Sequence, residues 1–215
     1  MHERIAGVVV AAAALTATAV SAAPVAAETG PDRGPDPPIV WIDEVSGSGC
    51  PKDTVGANLS PDRDAFSLVY ADFKAQAGGS SQPADNRKNC KVLMRMGGPQ
   101  GYSYAIRRAD HRGTALLEKG ATGRVTADFG TENQPSSGKE EHTFRGPFDD
   151  NWQITLTRPA DQLVFTPCGA TPRFLINNEL RVAPGPDRTK PSFISMDTFD
   201  GSIKSTYHLT QKRCP

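Results

Sequence analysis

Apolar and polar positions alternate with a period of two in one short run after another along this chain. Phe66, Leu68 and Tyr70 alternate with small or polar residues, Val92, Met94 and Met96 do so after Cys90, and Tyr102, Tyr104 and Ile106 follow a turn at Gly97, Gly98 and Pro99. Successive strand side chains point to opposite faces, so each run predicts a half-buried strand. Further strand-like runs cover Ile39 to Ile42, Ala115 to Glu118, Gly123 to Phe129, Glu141 to Phe144 and Trp152 to Thr157. Others cover Arg173 to Ile176, Leu180 to Val182, Phe193 to Met196 and Ile203 to Leu209. Gly, Pro, Asn and Asp punctuate them, which predicts an all-β fold, an antiparallel β-sandwich of jelly-roll-like or related form. The one helix-like stretch, Ala71 to Ala77, reads better as a strand end. Thr131 to Glu140 is polar throughout and reads as a mobile loop.

The beginning of the chain breaks this pattern and sets the compartment. Arg4 precedes an uncharged run from Ile5 to Ala27 rich in Ala and Val, and an acidic, Pro-rich stretch follows from Glu28 to Pro38. Charged start, apolar middle and small residues at Val25 and Ala27 make residues 1–27 a secretory signal peptide cut after Ala27. The alternative is a membrane anchor, but Ala is weakly apolar and no basic cluster stops transfer. Residues 28–38 carry no apolar period and read as a disordered leader, leaving 39–215 as one secreted β domain. No membrane association is expected after cleavage.

Composition narrows the partners. Lys and Arg total 24 and Asp and Glu total 24. Glu3 and Arg4 leave together with the signal, so the exported chain is also neutral, which excludes a general nucleic-acid role. Cys50, Cys90, Cys168 and Cys214 all lie in the exported part, where thiols oxidise. Four cysteines allow three pairings; Cys50 with Cys90 and Cys168 with Cys214 are favoured because each closes one half of the domain. Each bridge removes chain entropy worth roughly 4 kcal/mol. None forms the short-spaced pair that a zinc site needs, so no metal and no cofactor is expected.

Candidate chemistry is sparse, and each candidate has a plain structural reading beside it. His111, His142 and His208 lack metal-ligand spacing and a nucleophile context, and read as surface or half-buried polar residues, His111 in a turn-like run from Ala109 to Gly113. Ser48 lies between Gly47 and Gly49, but without a strand-turn-helix elbow the glycines serve to bend the chain toward Cys50. Asp43 with Glu44 and Asp149 with Asp150 are sequence neighbours, which a strand sends to opposite faces, so they make poor catalytic pairs. Asp197 and Asp200, followed by Gly201, offer oxygens to calcium, although a turn explains them as well. Trp41, Trp152, Tyr102 and Tyr104 suggest an aromatic platform. Tyr102 and Tyr104 share a strand face and make the best ligand surface, set against the more usual fate of such residues in a core. No catalytic residue is assigned.

Several short motifs occur in a fixed order: Gly47 to Pro51, Leu59 to Asp62, Arg87 to Val92, Pro99 to Tyr102, Thr166 to Gly169, Leu175 to Val182 and Asp197 to Gly201, closed by Cys214. As a set they resemble the secreted family catalogued as domain of unknown function 4360, found in bacteria and fungi. The cysteine contexts are the most specific part of the likeness, which spans nearly the whole exported chain. One departure is Phe165, where the family tends to carry Trp. The resemblance implies a small secreted protein and carries over no catalytic residues. The expected role is that of a monomeric, non-enzymatic domain binding an extracellular glycan or protein, or serving structurally at the cell exterior. Two rivals are a secreted hydrolase of polysaccharide or peptide, and an inhibitor of a secreted enzyme acting through the Thr131 to Glu140 loop.

Overall fold

The computed structural model describes residues 39–62, 64–97, 101–132, 134, 138–169, 171, 173–196 and 204–215. The proposed signal, leader and calcium loop lie outside these residues, as does most of the turn at Gly98 and Pro99. Twelve strands run β1 (Ile39–Ser46), β2 (Val55–Leu59), β3 (Ala65–Tyr70), β4 (Lys74–Ala77), β5 (Arg87–Gly97), β6 (Tyr102–Leu117), β7 (Thr122–Thr131), β8 (Glu140–Arg145), β9 (Phe148–Thr157), β10 (Arg173–Ala183), β11 (Ser192–Ser195) and β12 (Ser205–Arg213). All pair antiparallel, in two sheets. One has the order β1-β5-β10-β7-β8, and the other has β2-β3-β12-β6-β11-β4, with β9 on the free side of β6.

Alternation decides which face of each strand turns inward. Val92, Met94 and Met96 of β5, Phe174, Ile176 and Leu180 of β10, and Val125, Ala127 and Phe129 of β7 are buried on the five-stranded sheet. Opposite them lie Phe66, Leu68 and Tyr70 of β3, Tyr207 of β12, and Trp152, Ile154 and Leu156 of β9. Phe129 meets Tyr207 edge-on across the gap at 6.2 Å, and Phe66 stacks on Tyr207 within the larger sheet at 5.0 Å. Burial of this much apolar surface is the main force holding the sheets together.

The bridges fasten the sandwich at two depths. Cys50 joins Cys90 in the core, with Cα atoms 5.3 Å apart, and Cys168 joins Cys214 near the surface at 5.9 Å. Gly47 makes the first bridge possible. Its φ is +124°, and a Cβ there would lie 2.2 Å from the Asn89 carbonyl oxygen.

Several boundaries differ from the expectations, each for a packing reason. Ala109 to Gly113 is not a turn: β6 runs straight through it, because Ala109, His111 and Gly113 put small or network-bonded groups inward. Gly113 has no room for more, since a Cβ would meet the Ser195 carbonyl oxygen at 1.9 Å and the Trp152 ring at 2.3 Å. The two runs Arg173 to Ile176 and Leu180 to Val182 are one strand, joined through inward-facing Asn178. Alternation alone missed β2, and Lys74–Ala77 is a strand in its own right, paired with β11. In the polar stretch after β7, Thr131 bridges to Gln134, and residues 133 and 135–137 lie outside the described part.

Candidate functional site

Three polar clusters arise from this architecture, and accessibility separates them. The first lies between the sheets. Asn178, on β10, donates from Nδ2 to the Tyr70 hydroxyl at 3.1 Å and to the Tyr207 hydroxyl at 3.3 Å. His111 Nδ1 stands 2.8 Å from Ser205 Oγ, and its ring meets Tyr207 edge-on at 5.7 Å. His111 is 0% exposed, so it is a core residue, which corrects the expectation of a surface or half-buried histidine. Burial lowers its pKa to about 4, with the Asp110 charge opposing only in part. Burial likewise pushes the Tyr70 hydroxyl up to about 12 and Tyr207 well above its ordinary value. A Ser–His contact sealed from solvent admits no substrate, and the cluster's neutral groups do structural work, with Asn178 tying the smaller sheet to the larger.

The second cluster sits on the outer face of the larger sheet. Asp110 Oδ1 accepts from Arg108 Nε and Nη2 at 3.0 and 2.8 Å and from Thr155 Oγ1 at 2.6 Å, while its Oδ2 lies 2.8 Å from His208 Nε2. Burial alone would raise this carboxyl, but the hydrogen bonds from Arg108, Thr155 and His208 more than offset it and hold the pKa at about 2. An Asp–His pair orients a general base when a nucleophile waits on the second ring nitrogen. Among the described residues no hydroxyl or thiol bonds His208 Nδ1, and the carboxylate is saturated by its own sheet.

The third cluster forms the outer face of the smaller sheet. Val40 and Ile42 turn toward the core, so Trp41 and Asp43 point out. Trp41 is 43% exposed, and no other large hydrophobic side chain among the described residues is exposed. Its indole lies over Gly97, where a Cβ would approach the ring to 3.0 Å, so the bare backbone leaves space for the ring against the sheet. The Arg95 guanidinium lies 5.4 Å from the indole centre and binds Asp43 Oδ1 through Nε and Nη2 at 3.1 and 2.9 Å. Arg173 reaches Asp43 Oδ2 at 3.4 Å and Glu132 Oε1 at 3.6 Å. Trp41, Arg95 and Arg173 therefore stand in one cross-strand row on β1, β5 and β10, as their register requires. Beside this row is a cavity of about 110 Å³ with Leu93 and Leu175 at its base and Glu44, Ser46, Lys91 and Glu132 around it.

Set against this geometry, the sequence candidates scatter. Tyr104 is 5% exposed, while Tyr102 is half-buried against the core with the Arg213 guanidinium 6.0 Å from its ring, so the pair does not stand out as two open rings. Trp152 is also core, donating from Nε1 to the Thr114 carbonyl at 3.1 Å. His142 lies exposed on β8 beside Phe144, with ring centres 4.6 Å apart, in the other sheet from His111 and His208. Ser48 bonds Asn89 in the bend before Cys50, and Asp149 and Asp150 are exposed neighbours on β9. Among the described residues no group of three or more His, Cys, Asp or Glu side chains is placed to hold a metal ion. Of the four aromatic candidates, Trp41 is the one that turns outward. Its signal was present: in Val40-Trp41-Ile42-Asp43 the aromatic shares parity with a carboxylate, whereas Val40 and Ile42 share the other face.

Comparison with known proteins agrees with the compartment. The family model described as Domain of unknown function (DUF4360) matches residues 40–214. An "Uncharacterized secreted protein" of Arthroderma benhamiae is 32% identical over 194 residues, covering 87% of this chain and 79% of that one. Among solved structures, TmCBM61 in complex with beta-1,4-galactotriose aligns over 83% of this chain and 89% of its own, at 10% identity and a TM-score of 0.26. The enzymatically active domain of bacteriophage CBA120 tailspike protein 4 aligns over 80% of this chain and 19% of its own, at 11% identity and a TM-score of 0.28. At scores this low the ligands and activities of those two proteins remain theirs alone.

Proposed function

The chain belongs to the secreted DUF4360 family, and from the geometry of its smaller sheet we propose that it is a monomeric, non-enzymatic module that binds an extracellular glycan on the outer face bearing Trp41. The carrying observation is the exposed indole held beside a fixed row of ion-paired groups, Arg95, Asp43 and Arg173. A sugar ring offers an apolar C–H face and a rim of hydroxyls. Trp41 matches the first, and the Arg95 and Arg173 guanidiniums, with Glu44, Ser46, Lys91 and Glu132 around the neighbouring cavity, match the second. Charges of both signs alternate along the row, which suits a neutral, polyhydroxylated ligand. Because the arginines and Asp43 already hold one another, little side-chain entropy is lost on binding.

The test is a titration of soluble neutral polysaccharides into the native protein and a Trp41→Ala variant. The variant is expected to lose roughly five- to 150-fold in affinity, the scale of one aromatic stacking contact at about 1–3 kcal/mol. Polymer length should stay constant during the incubation, which separates binding from hydrolysis. Equal retention of polymer by the two proteins would refute the assignment, and shortening of the polymer would favour an enzyme.

A further inference from the structure

At the other end of the same sheet face, the register sets Arg87 of β5 opposite Arg181 of β10, and Arg181 opposite Arg124 of β7. Three guanidiniums thus stand side by side on neighbouring strands. Like charges directly opposite one another weaken strand pairing, so such a row works against the sheet unless anions lie among its members. Two carboxylates from the adjoining row supply part of that. Glu179 gives Oε2 to Arg87 Nη2 at 2.6 Å and Oε1 to Arg181 Nε at 2.6 Å, and Glu141 reaches Arg124 Nη1 at 3.2 Å. Arg145, paired in register with Thr122, adds a fourth guanidinium and has no ion-pair partner among the described residues. The end of the face therefore carries four arginines against two glutamates, in a chain whose overall charge is zero.

Between these strands lies a cavity of about 320 Å³ lined by Asn86, Thr122, Arg124, Arg181, Val182, Ala183 and Pro184. No carboxylate lines it. A guanidinium has five N–H donors in a planar fork, and each lining arginine spends one contact on its glutamate, so donors remain for an incoming oxyanion. We propose that this cavity is an anion-binding subsite for a carboxylate-bearing, uronate-type polysaccharide. The donors are spread along a row with the strand spacing of roughly 4.8 Å instead of converging on one point, which fits a repeating anion better than a single phosphate. A nucleic acid also repeats its charge, but the neutral chain lacks the broad basic surface that such binding draws on. Along β5 this row stands eight residues from Arg95, on the order of 26 Å at the usual strand rise, so it is separate from the Trp41 row. The assignment goes beyond neutral-glycan binding and does not depend on it.

Polygalacturonate and the same polymer fully methyl-esterified, titrated into the full protein at about 50 mM salt, test this directly. The acidic polymer is expected to bind, to lose affinity as salt is raised, and to lose it on esterification. Arg181→Gln with Arg124→Gln should cost about tenfold through lost charge-assisted hydrogen bonds. Because that double variant also removes the Arg181–Glu179 and Arg124–Glu141 ion pairs, Arg145→Gln serves as the arm that disturbs no ion pair of the fold; it should cost about threefold with an unchanged melting temperature. Equal binding of the esterified polymer, full affinity in both arginine variants, or tighter binding of single-stranded DNA would each overturn the proposal. Failure here with neutral-glycan binding intact would remove only the arginine subsite.

Discussion

The interior network and the outer Trp41 row are built from similar parts and do opposite things. Inside, Asn178, Tyr70, Tyr207, His111 and Ser205 combine rings with hydrogen-bonding groups and are closed to solvent. Outside, Trp41 combines a ring with Arg95, Asp43 and Arg173, all partly open. The inner groups are neutral, because burial drives tyrosines and histidine away from their charged forms. The outer groups are charged and neutralise one another across strands. Polar groups sealed in a core specify which strands lie opposite which, whereas polar groups left at the surface keep donors and acceptors for something else. Accessibility, rather than residue type, assigns the roles.

That contrast can be broken at several strengths. The largest effect belongs to the interior: Tyr207→Ala removes a ring packed by Phe66, Phe129 and His111, and should cost about 4 kcal/mol in denaturant unfolding. A loss below about 1 kcal/mol would mean that the gap between the sheets is not close-packed there.

Acid should come next. His111 has a pKa of 6.5 when unfolded and about 4 when folded, so the unfolded chain takes up a proton first. The stability this group contributes is complete above pH 6.5 and is lost as pH falls toward 4, by roughly 3 kcal/mol. Unfolding curves followed across that range should show the slope, and His111→Gln should flatten it. A slope that survives the substitution would place the proton uptake elsewhere. Smallest is the effect of Trp41→Ala on the fold itself, expected within about 0.5 kcal/mol because the ring is a surface group. A large loss of stability would make the indole structural and remove it from the ligand site.

Much of the fold was legible because strand alternation and core burial are the same fact read twice. Val92, Met94 and Met96 alternate in sequence and are buried in turn along β5. The reading failed where inward positions were filled by small or polar groups. At Ala109, His111 and Gly113 the inward face is an alanine, a hydrogen-bonded imidazole and a bare backbone, which look like a turn until Ser195 and Trp152 are seen packed against them. The same holds at Asn178, whose Nδ2 finds its acceptors only in tyrosines distant in sequence. The candidate site was less legible, since it depends on which of four aromatic residues turn outward. Tyr102 and Tyr104 had the cleaner alternation, while Trp41 sat in an unbroken apolar run. Only the parity of Asp43 marked its outward face. The cross-strand rows, Trp41 with Arg95 and Arg173, and Arg87 with Arg181 and Arg124, depend on register between distant strands, which no local pattern encodes.

The two indole N–H resonances of Trp41 and Trp152 give the most direct reading of whether ligand meets the outer face of the smaller sheet. As soluble polysaccharide is added, the Trp41 signal should move and the Trp152 signal, sealed in the core, should stay in place. Shifts centred instead on Asp110 and His208, or a Trp41 signal that stays fixed while polymer is bound, would contradict the account.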